Sequence, residues 1–192
     1  MSLIFDETEL IERLRSFQKS CIENRKCANC NEIGPNYVCI NFGTFVCSVC
    51  SGIHREFNHK VKGISLSKWK FDEIRLICSL GNKKDFLTFL GNRDFNSLGP
   101  PPNSNNHLIL KEFIRNKYIN RIWINQSLYN LYYLNLSSIQ DSLPKSQTNN
   151  SKNPYKTFQP NNITEYEHKN YDNSNLNAKK NFIDRNPFSF IN

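Results

Sequence analysis

No stretch of this sequence approaches the run of about 18 apolar residues that a membrane-spanning helix requires, so no transmembrane segment is expected. The most apolar late stretch, YINRIWINQSLYNLYYLNL, is broken by asparagine, arginine and glutamine. The opening MSLIFDETEL is acidic and lacks the apolar core of a secretory signal, so none is expected. No GxxxxGK(S/T) phosphate loop occurs, and LGNKKD lacks the glycine spacing, which excludes a nucleotide site of that type. No internal repeat is visible. A dense arginine-lysine block is missing as well. The densest basic stretch, His54 to Lys62, includes Glu56, and the net charge of +8 allows an anionic partner without choosing one. The seven cysteines are odd in number, which argues against a closed disulfide framework and for a reducing compartment.

What is present divides unevenly. From Pro144 to the end, twelve of forty-nine residues are asparagine and large aliphatics nearly vanish. Such a segment buries too little apolar surface to offset its ordering entropy and is expected to be disordered. The expected organisation is a zinc domain over residues 6–128, a helical extension or linker over 129–143, and the Asn-rich tail over 144–192.

Within the domain, Asp6 with Glu9 three residues on predicts a capped opening helix, its inner face carrying Leu10, Leu14, Phe17 and Cys21. NYVCI and TFV flank NFG and predict a hairpin turning at Gly43. VKGISLSKW reads as a strand or extended run. Phe71, Ile74, Ile77 and Cys78 form a helical stripe that Gly81 stops, and NKKDFLTFL forms a short helix ended by Gly91. After the GPPPNSN break, Leu110, Ile114, Tyr118 and Ile122 predict an amphipathic helix from about His107 to Gln126. The fold class is α+β: a small four-cysteine zinc-finger hairpin or sheet surrounded by four or five helices.

The chemistry concentrates in CANCNEIGPNYVCINFGTFVCSVCSGIHRE. Cys27/Cys30 and Cys47/Cys50 are two CxxC pairs sixteen residues apart, suited to a closed tetrahedral zinc site without an open position. The same ligand set holds iron–sulfur clusters, which is the weaker alternative. Cys21, Cys39 and Cys78 read as buried small hydrophobes.

Arg55 follows the second pair after four residues. The whole pattern, C-x2-C-x16-C-x2-C-x4-R, with FVCSVCSGIHR, VKGISLSKW ending at Trp69, Gly81-Asn82 and the late FIRNKY, resembles the Arf GTPase-activating (Arf-GAP) family over about residues 8 to 126. Tyr37-Val38-Cys39, the EFNHKVK after the arginine, and Ser67 resemble the branch that often carries FG repeats and adaptor functions, and its plant-type relatives. No FG array is present.

The resemblance implies that Arg55 is a catalytic arginine finger, that Zn2+ is structural, and that the partner is an Arf-class small GTPase met during vesicle trafficking. It implies a cytoplasmic protein, at most peripheral on trafficking membranes. The alternative is a catalytically weak or inactive adaptor that binds GTPase or endocytic partners through the same fold. A DNA-binding finger of GATA-like spacing would want a longer central loop and a strongly basic tail, so no specific nucleic acid is expected. In the tail, Asn186-Pro187-Phe188 resembles the short ligand of EH-domain adaptors: Asn-Pro starts a tight turn and offers Phe to an apolar pocket. An Asn-rich composition also produces this tripeptide by chance.

Overall fold

The computed structural model describes residues 6–131. The expectations for most of the 129–143 extension, for the 144–192 tail and for Asn186, Pro187 and Phe188 lie outside the described residues.

Helix α1 (Glu7–Ser20) begins as the capping pattern predicts, with the Glu9 carboxylate accepting the Asp6 N–H at 3.3 Å. It buries Leu10 and Leu14. Cys21 turns extended, its thiol 2.8 Å from the Glu23 carboxylate, and a single 3-10 turn, Ile22–Arg25, leads into the cysteine segment.

Strands β1 (Tyr37–Cys39) and β2 (Thr44–Val46) form the expected hairpin, with Tyr37 opposite Val46. Gly43 sits at φ +62, and a Cβ there would meet Leu80 carbons at 2.7 and 2.8 Å, so both conformation and space demand glycine. Strand β3 (Val61–Gly63) pairs with the other edge of β1, Tyr37 opposite Gly63. The result is a three-stranded antiparallel sheet in the order β2-β1-β3.

Between β2 and β3 lies an element that hydrophobic periodicity does not announce: helix α2 (Ser48–Glu56), which starts inside the second cysteine pair. Helices α3 (Phe71–Ser79) and α4 (Gly81–Phe89) follow, joined at Leu80 and Gly81, the latter at φ +82. Trp69 is buried, its indole N–H donating to the Ile64 carbonyl at 2.8 Å. A short α5 (Phe95–Leu98), capped by the Asp94 carboxylate, precedes the proline-rich break. Helices thus surround the hairpin and sheet, as expected.

Helix α6 (His107–Ile114) is shorter than the predicted His107–Gln126. It widens into a π turn, Arg115–Ile119, where the Asn120 N–H reaches back to the Arg115 carbonyl, and Arg121 at φ +54 ends it. Leu110, Ile114 and Tyr118 are buried as expected, whereas Ile122, beyond the stop, is 57% exposed. Phe42, Phe89 and Tyr118 pack together at the centre, Phe42 stacked on Tyr118 at 4.1 Å and edge-on to Phe89 at 5.4 Å between ring centroids.

Among the described residues, no helix is long and apolar enough to cross a membrane.

Candidate functional site

Two short backbone devices bring the cysteines together. Asn31, in a left-handed conformation at φ +62, donates its N–H to the Cys27 carbonyl at 3.1 Å and closes a tight turn around Cys27 and Cys30. The Ala28 N–H reaches the Phe45 carbonyl at 2.9 Å, tying that turn to β2. Cys47 caps α2, its sulfur accepting the Cys50 N–H at 3.4 Å. A helix N-terminus supplies oriented N–H dipoles that favour a thiolate there.

The four sulfurs all lie within 4.8 Å of one another and all four cysteines are buried. Cys30 Sγ and Cys47 Sγ are 3.6 Å apart. Tetrahedral Zn–S bonds of ~2.3 Å place ligand sulfurs about 3.8 Å apart, so donor chemistry and spacing both fit structural zinc. With four protein donors, no position remains open for water or substrate.

Cys39 is buried as predicted, but Cys78 is exposed on α3 and Cys21 is half-buried. The Cys78 expectation fails because the α3 stripe turns inward through Ile74 and Ile77 while the next position already faces out.

Arg55 stands on the last turn of α2 and is exposed. One guanidinium nitrogen donates to Ser51 Oγ at 3.2 Å, one helical turn back, and the guanidinium carbon lies 5.5 Å from the Tyr37 ring centre. The neighbouring carboxylate points elsewhere: Glu56 pairs with Lys111 at 2.5 Å and meets His107 at 3.6 Å. Lys111 holds the Glu56 carboxyl below its ordinary range.

Behind Arg55 runs a buried polar chain that sequence reasoning does not identify. Lys117, fully buried in the π turn, donates to Asp85 on α4 at 2.6 Å and to the Ala28 carbonyl at 3.0 Å. It also reaches Asn29 Oδ1 at 3.4 Å, which turns the Asn29 amide nitrogen toward His54 Nε2 at 2.9 Å. His54 Nε2 is therefore the acceptor and the ring proton sits on Nδ1, 2.9 Å from His59 Nδ1. Burial holds the His54 imidazole well below its ordinary pKa and brings His59 down to about 4. Burial also pushes the Asp85 carboxyl up, against the Lys117 ammonium beside it.

Cys39, His54 and His59 bring three further donor atoms within 4.8 Å. Because the His54 Nδ1 carries the proton, that trio is a hydrogen-bonded core rather than a second metal site. The only sequence signal for this chain is Lys117 falling on the apolar stripe beside Phe113, Ile114 and Tyr118.

Asn82 ties the site to the helices. Its side-chain oxygen accepts the Phe45 N–H at 2.8 Å, and its amide donates to the Glu23 and Lys26 carbonyls at 3.0 and 2.8 Å. Its own N–H meets Asn24 Oδ1 at 2.8 Å. One buried side chain thus joins α4, β2 and the segment entering the first cysteine pair.

The class defined by these features is a four-cysteine α+β domain that displays an arginine from the helix leaving its second cysteine pair. The chain belongs to the ArfGap family, whose model, described as "Putative GTPase activating protein for Arf", matches residues 9–127. It is similar to the Arabidopsis thaliana "Probable ADP-ribosylation factor GTPase-activating protein AGD14", 46% identical over 98 residues, 51% of this chain and 15% of that protein. It is also similar to human "Arf-GAP domain and FG repeat-containing protein 1", 37% identical over 102 residues, 52% of this chain and 18% of that protein. The chain therefore spans less than a fifth of the length of these two relatives. Among solved structures, the "ArfGap domain of HIV-1 Rev binding protein" aligns with TM-score 0.56 and 34% identity, covering 62% of this chain and 89% of that one.

Proposed function

We propose that this chain is a GTPase-activating protein for an Arf-class small GTPase and that Arg55 is its arginine finger. The observation that supports this reading is the exposure of Arg55 on a helix whose first turn is made by two of the four clustered cysteines. GTP hydrolysis spreads negative charge over the transferring phosphoryl group and the leaving oxygen, and a guanidinium inserted from outside stabilises that charge. The partner supplies nucleotide, magnesium and attacking water. Zinc held by Cys27, Cys30, Cys47 and Cys50 is structural in this account: it fixes the start of α2, and α2 carries the arginine.

Ser51 and the Tyr37 ring hold the guanidinium through neutral contacts that it is able to exchange for phosphate oxygens. Lysine lacks the forked, planar donor set. The proposal extends to a role in vesicle trafficking in the cytoplasm, with at most peripheral membrane association and with EH-domain adaptors as partners of Asn186-Pro187-Phe188.

The test is single-turnover hydrolysis by a GTP-loaded Arf-class GTPase. Wild type is expected to accelerate the reaction by roughly 10³-fold or more, and Arg55→Lys to lose most of that acceleration. A wild type without effect on any Arf-class GTPase would leave the non-catalytic adaptor.

A further inference from the structure

We infer that the cleft between the end of α1 and residues 33–36 takes the phosphate headgroup of an anionic lipid, which makes this face the chain's contact with a membrane surface. That contact serves the peripheral membrane association proposed above and uses none of the residues assigned to GTP hydrolysis.

The cleft follows from how α1 ends. Arg15 and Lys19 stand one turn apart on α1, Arg25 comes from the 3-10 turn that follows, and Ile33, Gly34 and Pro35 close the opposite wall. Its volume is about 200 Å³, room for several waters at about 30 Å³ each and therefore for one phosphate group. Both walls are tied down. Buried Gln18 donates its amide to the Pro35 carbonyl at 2.6 Å, the Gly34 N–H reaches the Arg25 carbonyl at 2.9 Å, and Lys26 pairs with Ile33 in an isolated antiparallel bridge. Gly34, at φ +74, has nothing within 4 Å of where a Cβ would stand, so the backbone on that wall is open to a ligand.

The lining is positive, and nothing inside the fold neutralises it. Arg15 donates to Gln18 Oε1 at 3.0 Å, to Asn36 Oδ1 at 3.3 Å and to Ser65 Oγ at 3.1 Å. Arg25 donates from two nitrogens to the Lys19 carbonyl, at 2.9 and 2.5 Å. These acceptors are all neutral, and among the described residues no carboxylate forms an ion pair with Arg15, Lys19 or Arg25. Glu12, Glu23 and Glu32 are close in sequence, but none lines the cleft, and the Glu23 carboxylate is 2.8 Å from the Cys21 thiol. The negative end of the α1 dipole also opposes an anion. It is blunted, because the Phe17 carbonyl already accepts from the Asn24 amide and the Lys19 carbonyl from Arg25. Three cations around one small cleft call for a ligand with several charged oxygens, which a phosphate group offers and a single carboxylate does not.

Two exposed aliphatic side chains make a lipid the carrier of that phosphate. Ile33, in the wall of the cleft, is 81% exposed. Ile22 is 51% exposed and precedes Arg25 by three positions in a 3-10 turn, where such side chains eclipse on one side. Cations at headgroup level with apolar side chains beside them are the composition of an interfacial membrane contact. A soluble phosphate ligand would make no use of the isoleucines.

The test is flotation of the full chain with vesicles of phosphatidylcholine alone and with vesicles in which about a tenth of the lipid is a phosphatidylinositol monophosphate, beside calorimetry with the soluble headgroup, inositol bisphosphate. Wild type is expected to float with the phosphoinositide vesicles and not with phosphatidylcholine, and its binding should fall as salt rises. Lys19→Gln and Arg25→Gln should each weaken that binding roughly fivefold. Arg25 also caps α1, so Lys19→Gln, which removes only an exposed cation, decides the charge contribution. Ile33→Ser should weaken vesicle binding several-fold while affinity for the soluble headgroup stays at the wild-type level. Lys83→Gln, an equally exposed cation on α4, should change neither. Equal flotation of wild type with both kinds of vesicle overturns the inference, as does wild-type binding by Lys19→Gln. Affinity for the soluble headgroup without flotation overturns the lipid assignment. No GTPase is present, so Arg55→Lys should float like wild type, and failure of the finger and failure of lipid binding are separate results.

Discussion

Arg55 and His54 are neighbours with opposite surroundings, and the contrast explains how a surface residue acquires a defined direction. His54 is buried, and its two ring nitrogens are committed to Asn29 and His59. That fixes the rotation of α2 about its axis, and Arg55, one position on, is carried to the outside. The same burial gives the molecule an acid sensitivity. His59 titrates near 4 in the folded protein because it is removed from water, against about 6.5 in an unfolded chain. A depressed histidine pKa means that the unfolded chain binds more protons below pH 6.5, so stability falls as pH drops through that window toward 4. His59 alone should remove about 2 kcal/mol between pH 7 and pH 5. Urea denaturation at the two pH values checks this, and His59→Gln should show a smaller loss than wild type by about that amount. Equal pH dependence of the two proteins would contradict the assignment.

At the scale of elements, the π turn at the end of α6 carries a consequence out of proportion to its five residues. It puts Lys117 into the core, where it bridges α4 through Asp85 and the first cysteine pair through the Ala28 carbonyl. Lys117→Met should cost about 3–5 kcal/mol, because it strands a buried carboxylate. Adding Asp85→Leu should recover most of the loss, as replacement of both partners by apolar groups commonly does. Chemical denaturation of the single and double variants decides it. If the double variant is no more stable than Lys117→Met alone, the pair is not the source of the cost.

The same elements show what could be read from residues alone. Paired CxxC spacing, the Gly43 turn and the Gly81 stop are local signals with local causes, and each leads to the right feature. Helix α2 escapes because it is only nine residues long and its first turn lies inside a metal-ligand pair, so its short buried face of Cys50 and Ile53 is read as part of the cysteine motif rather than as a helical period. The end of α6 escapes because the apolar period runs on through Ile122, whereas Arg121 takes a positive φ that no spacing rule reports. Lys117 escapes because a lysine on a helix is ordinarily solvated, and its partners lie 32 and 89 residues away in sequence.

For the molecule as a whole, the sheet is three strands of three residues each, too small to hold a shape by itself. The cysteine cluster joins the segment before β1 to the start of α2, and Asn82 ties the same region to α4. Removing the metal should therefore loosen the sheet and α2 together. Treatment with a strong chelator is expected to lower helical circular dichroism and abolish any stimulation of GTP hydrolysis, both restored by added zinc. Unchanged dichroism with no metal bound would show that the helices hold the site unaided.

The most direct measurement is the saturating single-turnover rate of GTP hydrolysis on an Arf-class GTPase with wild type and Arg55→Lys side by side, zinc content and melting temperature being matched. The account predicts a rate that collapses toward the unstimulated value in the variant while affinity for the GTPase persists. A lysine variant that stimulates as well as the arginine would show that the exposed guanidinium on α2 plays no part in the chemistry.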